Sequence, residues 1–364
     1  MSLTKVVLVS YPDDFRLQEA KNLVESSFAE KKYKIVKVVT HKFLNHSKFG
    51  LGSGKADEIK NLVKESGADQ IIVDERLTSK QTYNLEDHTN TNVIDRERLI
   101  LNIFYSKATT NESKLQIQLA EIKYEMPRVR ESARISSGTE RAGKGGMGEY
   151  VVDVKFRDLK RRASFIKEKL DNAQRKRELY HQQRLKSEMP VISLVGYTSS
   201  GKTSLFNLLT DQNKEISNNL FTTLTTTTRS FKINDKGLLL IDTIGFISRL
   251  PHYMIDAFKS TLEESIAADL ILLLIDSSEK IEDIRIKYNS CREVLNELNV
   301  DKSKVLIVLS KLDKVNSDKI EEIIKDLRIS NPIAISSMSG YGIHKLRTII
   351  DRYSNNHGKY QSSY

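Results

Sequence analysis

Gly196-Tyr197-Thr198-Ser199-Ser200-Gly201-Lys202-Thr203 is the stretch that decides the fold of the second half of the chain. It matches the phosphate-loop pattern G-x-x-x-x-G-K-[ST]. An apolar run at residues 191–195 precedes it and a helical pattern at residues 204–209 follows it, which is the context that the pattern requires. Glycines let backbone N–H groups wrap a phosphate group, and the start of the helix adds a positive dipole. This stretch therefore predicts a nucleotide site between a strand and a helix.

Four further apolar runs after the loop are typical of short buried strands. They are residues 238–241, 270–275, 305–309 and 333–335. Strands that alternate with helices favour a parallel sheet covered by helices. We therefore predict a second α/β domain at residues 189–354, built around the phosphate loop, which begins beside Pro190 and is followed by a polar tail at residues 355–364.

The phosphate loop and the strand at residues 238–241 supply groups that act on a triphosphate. We expect Lys202 to neutralise charge on the outer phosphates and the hydroxyl of Thr203 to be a ligand for Mg²⁺. Asp242 comes directly after the strand, where we expect it to hold Mg²⁺ through water, and we expect the N–H of Gly245 to meet the terminal phosphate. An Asp-Thr-x-Gly stretch on its own is more often an ordinary turn at the end of a strand.

Two later loops predict how the base is chosen. Asp313, in the stretch Ser310-Lys311-Leu312-Asp313, offers a carboxylate that accepts the ring N–H and the amino group of guanine. Adenine does not offer this pair, and leaving the acid unpaired costs on the order of several kcal/mol. The stretch Ser336-Ser337-Met338 offers a backbone N–H to the guanine carbonyl. Each stretch alone is weak evidence, but the ordered set favours a GTPase over an ATPase and predicts that residues 189–354 form a P-loop GTPase (Ras-like) G domain.

Residues 221–229, Phe-Thr-Thr-Leu-Thr-Thr-Thr-Thr-Arg, lie between the loop and Asp242. Polar β-branched runs are typical of edge strands or loops. A switch loop also needs one hydroxyl that completes the Mg²⁺ shell when the third phosphate is present, and Thr223 is our candidate. Phe246 stands where Ras-type enzymes carry the glutamine that orients the attacking water. Because phenylalanine cannot polarise water, Phe246 either packs in the interior or swings away while the backbone, Thr223 or a partner positions the water.

The predicted site consists of three sets of residues. The catalytic residues are Lys202, Thr223 and Gly245, and the Mg²⁺ ligands are Thr203, Thr223 and, through water, Asp242. The predicted GTP-binding residues are Gly196, Tyr197, Thr198, Ser199, Ser200, Gly201, Lys202, Thr203, Ser204, Phe221, Thr222, Thr223, Asp242, Thr243, Ile244, Gly245, Ser310, Lys311, Asp313, Ser336, Ser337 and Met338.

The first half of the chain predicts a parallel-sheet α/β domain at about residues 1–105. Apolar runs typical of buried strands alternate there with two helical patterns. The predicted strands are residues 6–9, 35–39, 70–73 and 92–94, and the predicted helices are residues 17–28 and 55–66. The fragment Gly52-Ser53-Gly54-Lys55 is more typical of a helix start than of a nucleotide loop.

Residues 106–188 predict a long helical hairpin. Two narrow apolar stripes at helical spacing, one from Leu115 to Met126 and one from Phe156 to Ala173, are typical of paired helices. Residues 136–148 between them hold five glycines and predict a mobile tip. Residues 151–188 carry twelve Lys or Arg and six Asp or Glu, a net charge of +6, which is either a solvated face or a handle for nucleic-acid phosphates.

Composition restricts the class of protein further. The 364 residues suggest two or three domains, and 58 Lys and Arg against 48 Asp and Glu give a net charge of +10, which permits contact with nucleic acid. A single cysteine, Cys291, excludes an internal disulfide. The most apolar run, residues 270–275, is too short to span a membrane, and no secretory signal is visible. We expect a cytoplasmic protein without a membrane span.

Taken together, these residues resemble the HflX family of ribosome-associated GTPases over nearly the whole chain. The phosphate loop continues as Ser204-Leu205-Phe206-Asn207, and Leu220-Phe221-Thr222-Thr223-Leu224 is similar to the first switch of that family. The first half is more specific, because several of its short motifs occur in the family in the same order. They are Gly52-Ser53-Gly54-Lys55, Asp74-Glu75-Arg76-Leu77-Thr78, Asn84-Leu85, Val93-Ile94-Asp95-Arg96 and Ile103-Phe104.

The resemblance implies GTP hydrolysis coupled to binding of the large ribosomal subunit, with the N-terminal domain and its hairpin reaching ribosomal RNA. In bacterial relatives it also implies splitting or rescue of ribosomes. The chain departs from the family at three places, which are Ser199, Thr225-Thr226 and Ser310. In potassium-stimulated members, an asparagine at the position of Ser199 helps hold the potassium ion. An RNA-binding or ribosome-assembly scaffold that senses GTP and GDP with little turnover is the alternative function.

Overall fold

Two β-sheets, one in each half of the chain, form the framework of the computed structural model. The structure describes residues 3–27, 32–139, 147–185, 189–212, 220–221, 226–258 and 267–355, without the side chains of residues 132–139, 147–151, 176–185 and 355. The chain divides into two units, Met1–Ala173 and Gln174–Tyr364, which are described separately. The domain boundaries that we expect near residues 105 and 188 stay predictions.

The N-terminal sheet has four parallel strands in the order β2-β1-β3-β4. The strands are β1 (Leu3–Ser10), β2 (Lys32–Thr40), β3 (Gln70–Val73) and β4 (Asn92–Asp95). Each contains one of the four predicted apolar runs, and Val7, Val9, Ile71 and Val73 lie in the buried core. Buried runs of this kind are typical of parallel sheets with helices on both faces, so the predicted α/β architecture is confirmed.

Four helices accompany this sheet, which are α1 (Asp14–Glu25), α2 (Ser53–Ser66), α3 (Ser79–Thr89) and α4 (Arg96–Lys107). A polar side chain caps the start of three of them, α1, α3 and α4. Helix α1 begins three residues before the prediction because the Asp13 side chain accepts the N–H of Arg16, and residue 28 lies outside the described residues. Helix α3, which we did not predict, begins with a capping box of Thr78 and Gln81.

Charged residues at the carboxyl edge of the N-terminal sheet form a buried network. The guanidinium of Arg96 donates to Asp74 and Glu19 at 2.6 Å each, and Ser10 donates to Asp74 at 3.0 Å. Burial acts to lower the pKa of Arg96, but the two carboxylates outweigh it and raise that pKa. Asp74 and Arg96 belong to the short motifs quoted above, so part of that sequence signature stabilises the fold.

Two long helices, α5 (Asn111–Thr139) and α6 (Met147–Leu185), follow the sheet. Leu119, Ile122 and Val129 of α5 pack against Leu159 and Ile166 of α6, as the two apolar stripes predict. The glycine-rich tip is shorter than predicted, because residues 136–139 and 147–148 are helical and residues 140–146 lie outside the described part. Among the described helices, none is both long and apolar enough to cross a membrane.

The second sheet has six strands in the order β10-β9-β8-β5-β7-β6. All pairs are parallel except β6 with β7, where residues 227–229 of the polar run that is typical of edge strands belong to an antiparallel edge strand. The strands are β5 (Val191–Gly196), β6 (Thr227–Ile233), β7 (Lys236–Asp242), β8 (Leu270–Asp276), β9 (Val305–Ser310) and β10 (Ile333–Ala334). The helices are α7 (Lys202–Thr210), α8 (Ile281–Glu297), α9 (Ser317–Leu327) and α10 (Ile343–Asn355).

Candidate functional site

The predicted phosphate-loop, Asp242 and guanine-loop residues lie at one edge of the second sheet. Parallel strands end at the same edge, so the loops after β5, β7, β8, β9 and β10 meet there. Strand β5 lies between β7 and β8, which places the phosphate loop centrally on this edge. The topology therefore brings together stretches that are up to 140 positions apart, from Gly196 to Ser336.

The phosphate loop adopts a backbone that depends on its glycines. Gly196 has φ +156°, and a Cβ there would lie 2.5 Å from the Leu274 carbonyl oxygen, so a side chain does not fit. Gly201 has φ +92° and precedes the first turn of α7, where Ser204 lies. Ser199 also has a positive φ, +63°, in a conformation that asparagine adopts more readily than serine.

Lys202 is buried at the start of α7 and is held over the loop. Its Nζ donates to the carbonyl oxygens of Gly196 at 3.1 Å and Tyr197 at 2.7 Å. Burial lowers the pKa of Lys202 to about 8, although the nearby Asp242 carboxylate acts in the opposite direction. An anion bound beside Nζ would favour the charged form of this lysine.

Thr203 and Asp242 bring two oxygen donors together. The Thr203 hydroxyl donates to Oδ2 of Asp242 at 3.3 Å, and Asp242 is fully buried at the end of β7. The next residue, Thr243, is fixed to β5 because its hydroxyl donates to the Leu194 carbonyl at 2.7 Å. Oxygen donors of this type suit Mg²⁺, which binds proteins through one or two such groups and takes its other ligands from water and phosphates. The described residues contain no group of three or more His, Cys, Asp or Glu that could hold a metal ion.

The segment after Asp242 packs directly on the phosphate loop. A Cβ at Gly245 would lie 2.8 Å from Cγ2 of Thr198 and 3.1 Å from Nζ of Lys202. Phe246 is buried, its N–H donates to the Gly196 carbonyl at 3.1 Å, and its carbonyl accepts the Thr198 N–H at 2.8 Å. Ile244 is also buried, so the apolar side chains of this segment point into the interior.

A tyrosine hydroxyl adds a third connection between these two segments. The hydroxyl of Tyr197 accepts the Ser248 N–H at 2.6 Å, and both residues are buried. The Nζ of Lys287 in α8 lies 5.1 Å from the centroid of the Tyr197 ring. We predicted Tyr197 as a GTP-binding residue, but the sequence alone does not show what its side chain contacts.

Ser310 connects the end of β9 to the phosphate loop. Its hydroxyl lies 2.8 Å from the Ser200 carbonyl and 3.0 Å from the Ile275 carbonyl, and it donates its single hydrogen to this pair. The side chain is buried, so both contacts are shielded from water. Ser310 therefore connects β9, which leads to Asp313, with the phosphate loop.

The predicted base-recognition residues face each other across two loops. Ser336 donates to Oδ1 of Asp313 at 2.5 Å, and its hydroxyl accepts the Met338 N–H at 3.3 Å. Ser337 lies half-buried between them, Met338 is 86% exposed, and Asp313 is exposed. Lys311 pairs with Asp276 at 2.5 Å. The loop after β10 thus positions the exposed carboxylate of Asp313.

Asp276 at the end of β8 and Phe221 at the start of the predicted first switch are two further residues of the second unit. We did not predict Asp276, although it follows the apolar run of β8 in the way that Asp242 follows β7. Phe221 is buried with a φ of +57°. Thr222 and Thr223 lie outside the described residues, so the role of Thr223 stays a prediction.

Models of three protein families match successive parts of this chain. The model described as "GTP-binding GTPase N-terminal" matches residues 14–105, and "GTP-binding GTPase Middle Region" matches residues 107–184. The model described as "50S ribosome-binding GTPase" matches residues 191–311. The last match contains the phosphate loop, Asp242 and Gly245.

Curated relatives match nearly the whole chain. GTPase HflX of Methanocaldococcus jannaschii is 39% identical over 341 residues, which are 93% of this chain and 83% of the relative. GTPase HflX of Escherichia coli K12 is 36% identical over 340 residues, which are 91% of this chain and 77% of the relative.

Two solved structures are similar along the chain. A crystal structure of SsGBP in complex with GDP has a TM-score of 0.53 at 28% identity and covers 98% of this chain and 100% of that one. A GTP-binding protein from Sulfolobus solfataricus in complex with GDP has a TM-score of 0.50 at 28% identity, covering 97% and 99%. Similarity of this extent to curated relatives, together with a phosphate loop at the centre of the sheet edge, shows that the chain belongs to the HflX family of GTPases.

Proposed function

We propose that this GTPase binds GTP and GDP at the loop edge of the second sheet, hydrolyses GTP with Mg²⁺, and uses the bound nucleotide to control its association with the large ribosomal subunit. The observation that carries the nucleotide site is the convergence on one sheet edge of Lys202, the Thr203–Asp242 pair and the Asp313–Ser336 pair. The description of the matching family model and the basic surface of α6 support the ribosomal partner.

Phosphate binding rests on the loop and on Lys202. The N–H groups of residues 199–203 and the start of α7 favour an anion, and Nζ of Lys202 lies beside them. Thr203 and Asp242 would hold Mg²⁺, with Thr223 as the proposed third contributor. When bound, the ion neutralises charge that develops on the phosphates. The N–H of Gly245 contacts the terminal phosphate in the triphosphate complex.

Guanine selection rests on Asp313. The carboxylate accepts the ring N–H and the amino group of guanine, and the Ser336 hydroxyl orients it. One backbone N–H of the stretch Ser336-Ser337-Met338 contacts the guanine carbonyl, and Lys311, fixed by Asp276, covers the base with its alkyl chain. ATP lacks the complementary donors and binds more weakly.

The nucleotide state acts through the segment that contains Gly245 and Phe246. This segment is bonded to the phosphate loop through Gly196, Thr198 and Tyr197. A third phosphate beside Lys202 competes for the space next to Gly245, so GTP and GDP favour different positions of the segment. The same segment therefore reports the presence of the third phosphate to a partner.

The exposed surface of α6 suits ribosomal RNA. Leu159, Ile166 and Leu170 face the hairpin core, which leaves Lys160, Arg161 and Arg162 in solvent. Clustered lysine and arginine side chains bind phosphate backbone by releasing counterions. Residues 140–146 of the predicted tip, which spans residues 136–148, lie outside the described part of the chain.

Sedimentation of the full chain with large ribosomal subunits tests this function. We expect the protein to sediment with the subunits in the presence of Mg²⁺ and a non-hydrolysable GTP analogue, and to remain largely in the supernatant with GDP. Large subunits should also accelerate GTP turnover. Equal sedimentation with the analogue, with GDP and without nucleotide would contradict nucleotide control and favour the scaffold function.

A further inference from the structure

A groove on the second unit lies apart from the nucleotide site. It opens between the C-terminal half of α8 and the end of α9, above the beginning of β9, and encloses about 370 Å³. Val305 is the first residue of β9 and Ser310 is the last, so the groove and the guanine loop lie at opposite ends of one strand, about 17 Å apart at 3.3 Å per residue. Its volume lies within the range of small-molecule sites in proteins.

The floor and walls of the groove are apolar. Leu273, Val305 and Ile307 form the floor, and Leu295 and Leu327 form the walls. Val305 and Ile307 are only half-buried, although the neighbouring strand β8 is completely buried. Helices α8 and α9 thus leave part of this sheet face exposed to water, and a bound apolar ligand would bury these exposed side chains.

Three cationic side chains line the groove. Arg292, Lys302 and Arg328 come from α8, from the turn before β9 and from the C-cap of α9, and all three are exposed. None of them forms an ion pair with a described residue, and the described lining contains no carboxylate. Arg292 lies over the Tyr288 ring, with the guanidinium carbon 5.6 Å from its centroid. The positive charge of this lining is therefore available to an anionic ligand.

We propose that this groove, named here the basal groove, binds a small organic anion with an apolar body and a carboxylate or phosphate head. The apolar body lies on Val305 and Ile307, and the head lies between Lys302 and Arg328. A neutral or cationic molecule of the same shape gains the apolar contact without the charge-assisted hydrogen bonds. The site is separate from the guanine nucleotide, because none of its lining residues belongs to the predicted nucleotide site.

Fluorescence of anilinonaphthalene sulfonate, an amphipathic anion, tests the proposal on the full chain. The titration is made with saturating Mg²⁺ and GDP, so that the probe cannot occupy the phosphate loop. Decanoate, decyl phosphate, decanol and decyltrimethylammonium then compete with it below their micelle concentrations. We expect saturable binding of the probe and displacement by decanoate or decyl phosphate. The comparison of these two anions distinguishes a carboxylate from a phosphate head.

Two double variants show whether the signal arises in the basal groove. Lys302→Ala with Arg328→Ala should raise the Kd of the probe about tenfold, because two charge-assisted contacts are lost. Lys325→Ala with Lys345→Ala removes the same charge from exposed positions outside the lining and should change the Kd less than about twofold. GTP turnover, measured without the probe, shows that each variant is folded.

The proposal is overturned by any of three results: no saturable binding, the same Kd in both double variants, or displacement by decyltrimethylammonium as effective as that by decanoate and decyl phosphate.

Discussion

At the scale of the residue, Lys202 shows how the fold alters ordinary chemistry. Its ammonium group is buried, makes two hydrogen bonds to loop carbonyls and has a pKa of about 8. Because the charged form is the one that binds phosphate, protonation of Lys202 and nucleotide binding favour each other. The lysine is therefore half-charged near the pH at which most lysines are fully charged.

We predict that GDP binding weakens above pH 8. Because its pKa is lowered, Lys202 loses its charge in the unliganded protein as the pH rises. In the complex, the bound phosphates keep Lys202 protonated. A pKa of about 8 gives a Kd about fivefold higher at about pH 8.7 than at about pH 7. Calorimetry in buffers of different ionisation enthalpy measures both the affinity and the proton uptake. Lys202→Arg keeps its charge over this range, so its Kd should not change with pH; an unchanged Kd in the natural chain would contradict the prediction.

Asp313 gives a second prediction at this scale. Asp313→Asn replaces an acceptor by a partial donor, and we expect the affinity for GDP to fall about hundredfold while xanthosine diphosphate becomes the preferred ligand. Competition against a fluorescent nucleotide measures the ratio. Asp318→Asn, at an exposed position in the first turn of α9, is the control and should keep the preference for guanine. Retention of that preference in Asp313→Asn would show that another group reads the base.

Gly245 gives a third prediction at the scale of the residue. Gly245→Ala places a Cβ 2.8 Å from Cγ2 and 2.9 Å from Cα of Thr198, so the segment must shift. Because only the third phosphate needs the Gly245 N–H, we expect GTP turnover to fall about tenfold while GDP affinity changes less than about threefold. Gly237→Ala is the control, since its Cβ would meet Sδ of Met189 at 3.4 Å, an ordinary contact. Equal turnover in the two variants would argue against a role for this N–H.

At the scale of the element, Asp95 joins three parts of the N-terminal unit. It ends β4, caps α4 by accepting the Arg98 N–H at 2.8 Å, and accepts Arg128 of α5 at 2.6 Å. It also accepts the Tyr124 hydroxyl at 3.0 Å, and burial together with the Asp95 charge raises the pKa of that tyrosine. One carboxylate thus attaches the first helix of the hairpin to the sheet.

We predict that Asp95→Asn destabilises the N-terminal unit by about 2 kcal/mol, because Arg128 loses its charged partner while the cap keeps an oxygen acceptor. Urea unfolding followed by circular dichroism measures the effect as a lower midpoint. Asp171→Asn changes the same chemical group at an exposed position of α6 and should leave the midpoint in place. Equal midpoints for the two variants would mean that Asp95 is not a structural connection.

The elements also show what the sequence could predict. Strand β8 follows from an uninterrupted apolar run, β5 follows from an apolar run that contains one serine, and the phosphate loop follows from its own pattern. Helix α3 has few apolar residues and β6 is a polar edge strand, so hydrophobic periodicity predicts neither strongly. The contact of Ser310 with Ser200 joins residues 110 positions apart, and no local pattern contains it. Tyr197 likewise gives no signal that its hydroxyl reaches Ser248.

At the scale of the whole molecule, the net charge of +10 is distributed unevenly. The exposed side of α6 concentrates lysine and arginine, while its other side packs in the hairpin. A surface of this kind attracts a polyanion at a rate and affinity that fall with salt. This is the property that a partner rich in phosphate would require.

We predict that the triple variant Lys160→Ala, Arg161→Ala and Arg162→Ala binds large ribosomal subunits more weakly. The slope of log affinity against log salt should also decrease by about two to three, since each phosphate contact contributes about 0.9. Lys325→Ala, Lys345→Ala and Arg352→Ala remove equal charge from exposed positions of the second unit. If both triple variants lower the slope equally, total charge rather than α6 governs the association.

The pairing of Phe246 with the phosphate loop has one more consequence. Its N–H and its carbonyl are bonded to the residues on either side of Tyr197, as in a single rung of parallel sheet. Because each of these two bonds keeps the other aligned, we expect the segment around Phe246 to hold both bonds or to lose both. Under the proposed function, cleavage of one phosphate bond would then select between two discrete positions of this segment, and a bound ribosomal subunit would recognise the position without contacting the phosphate.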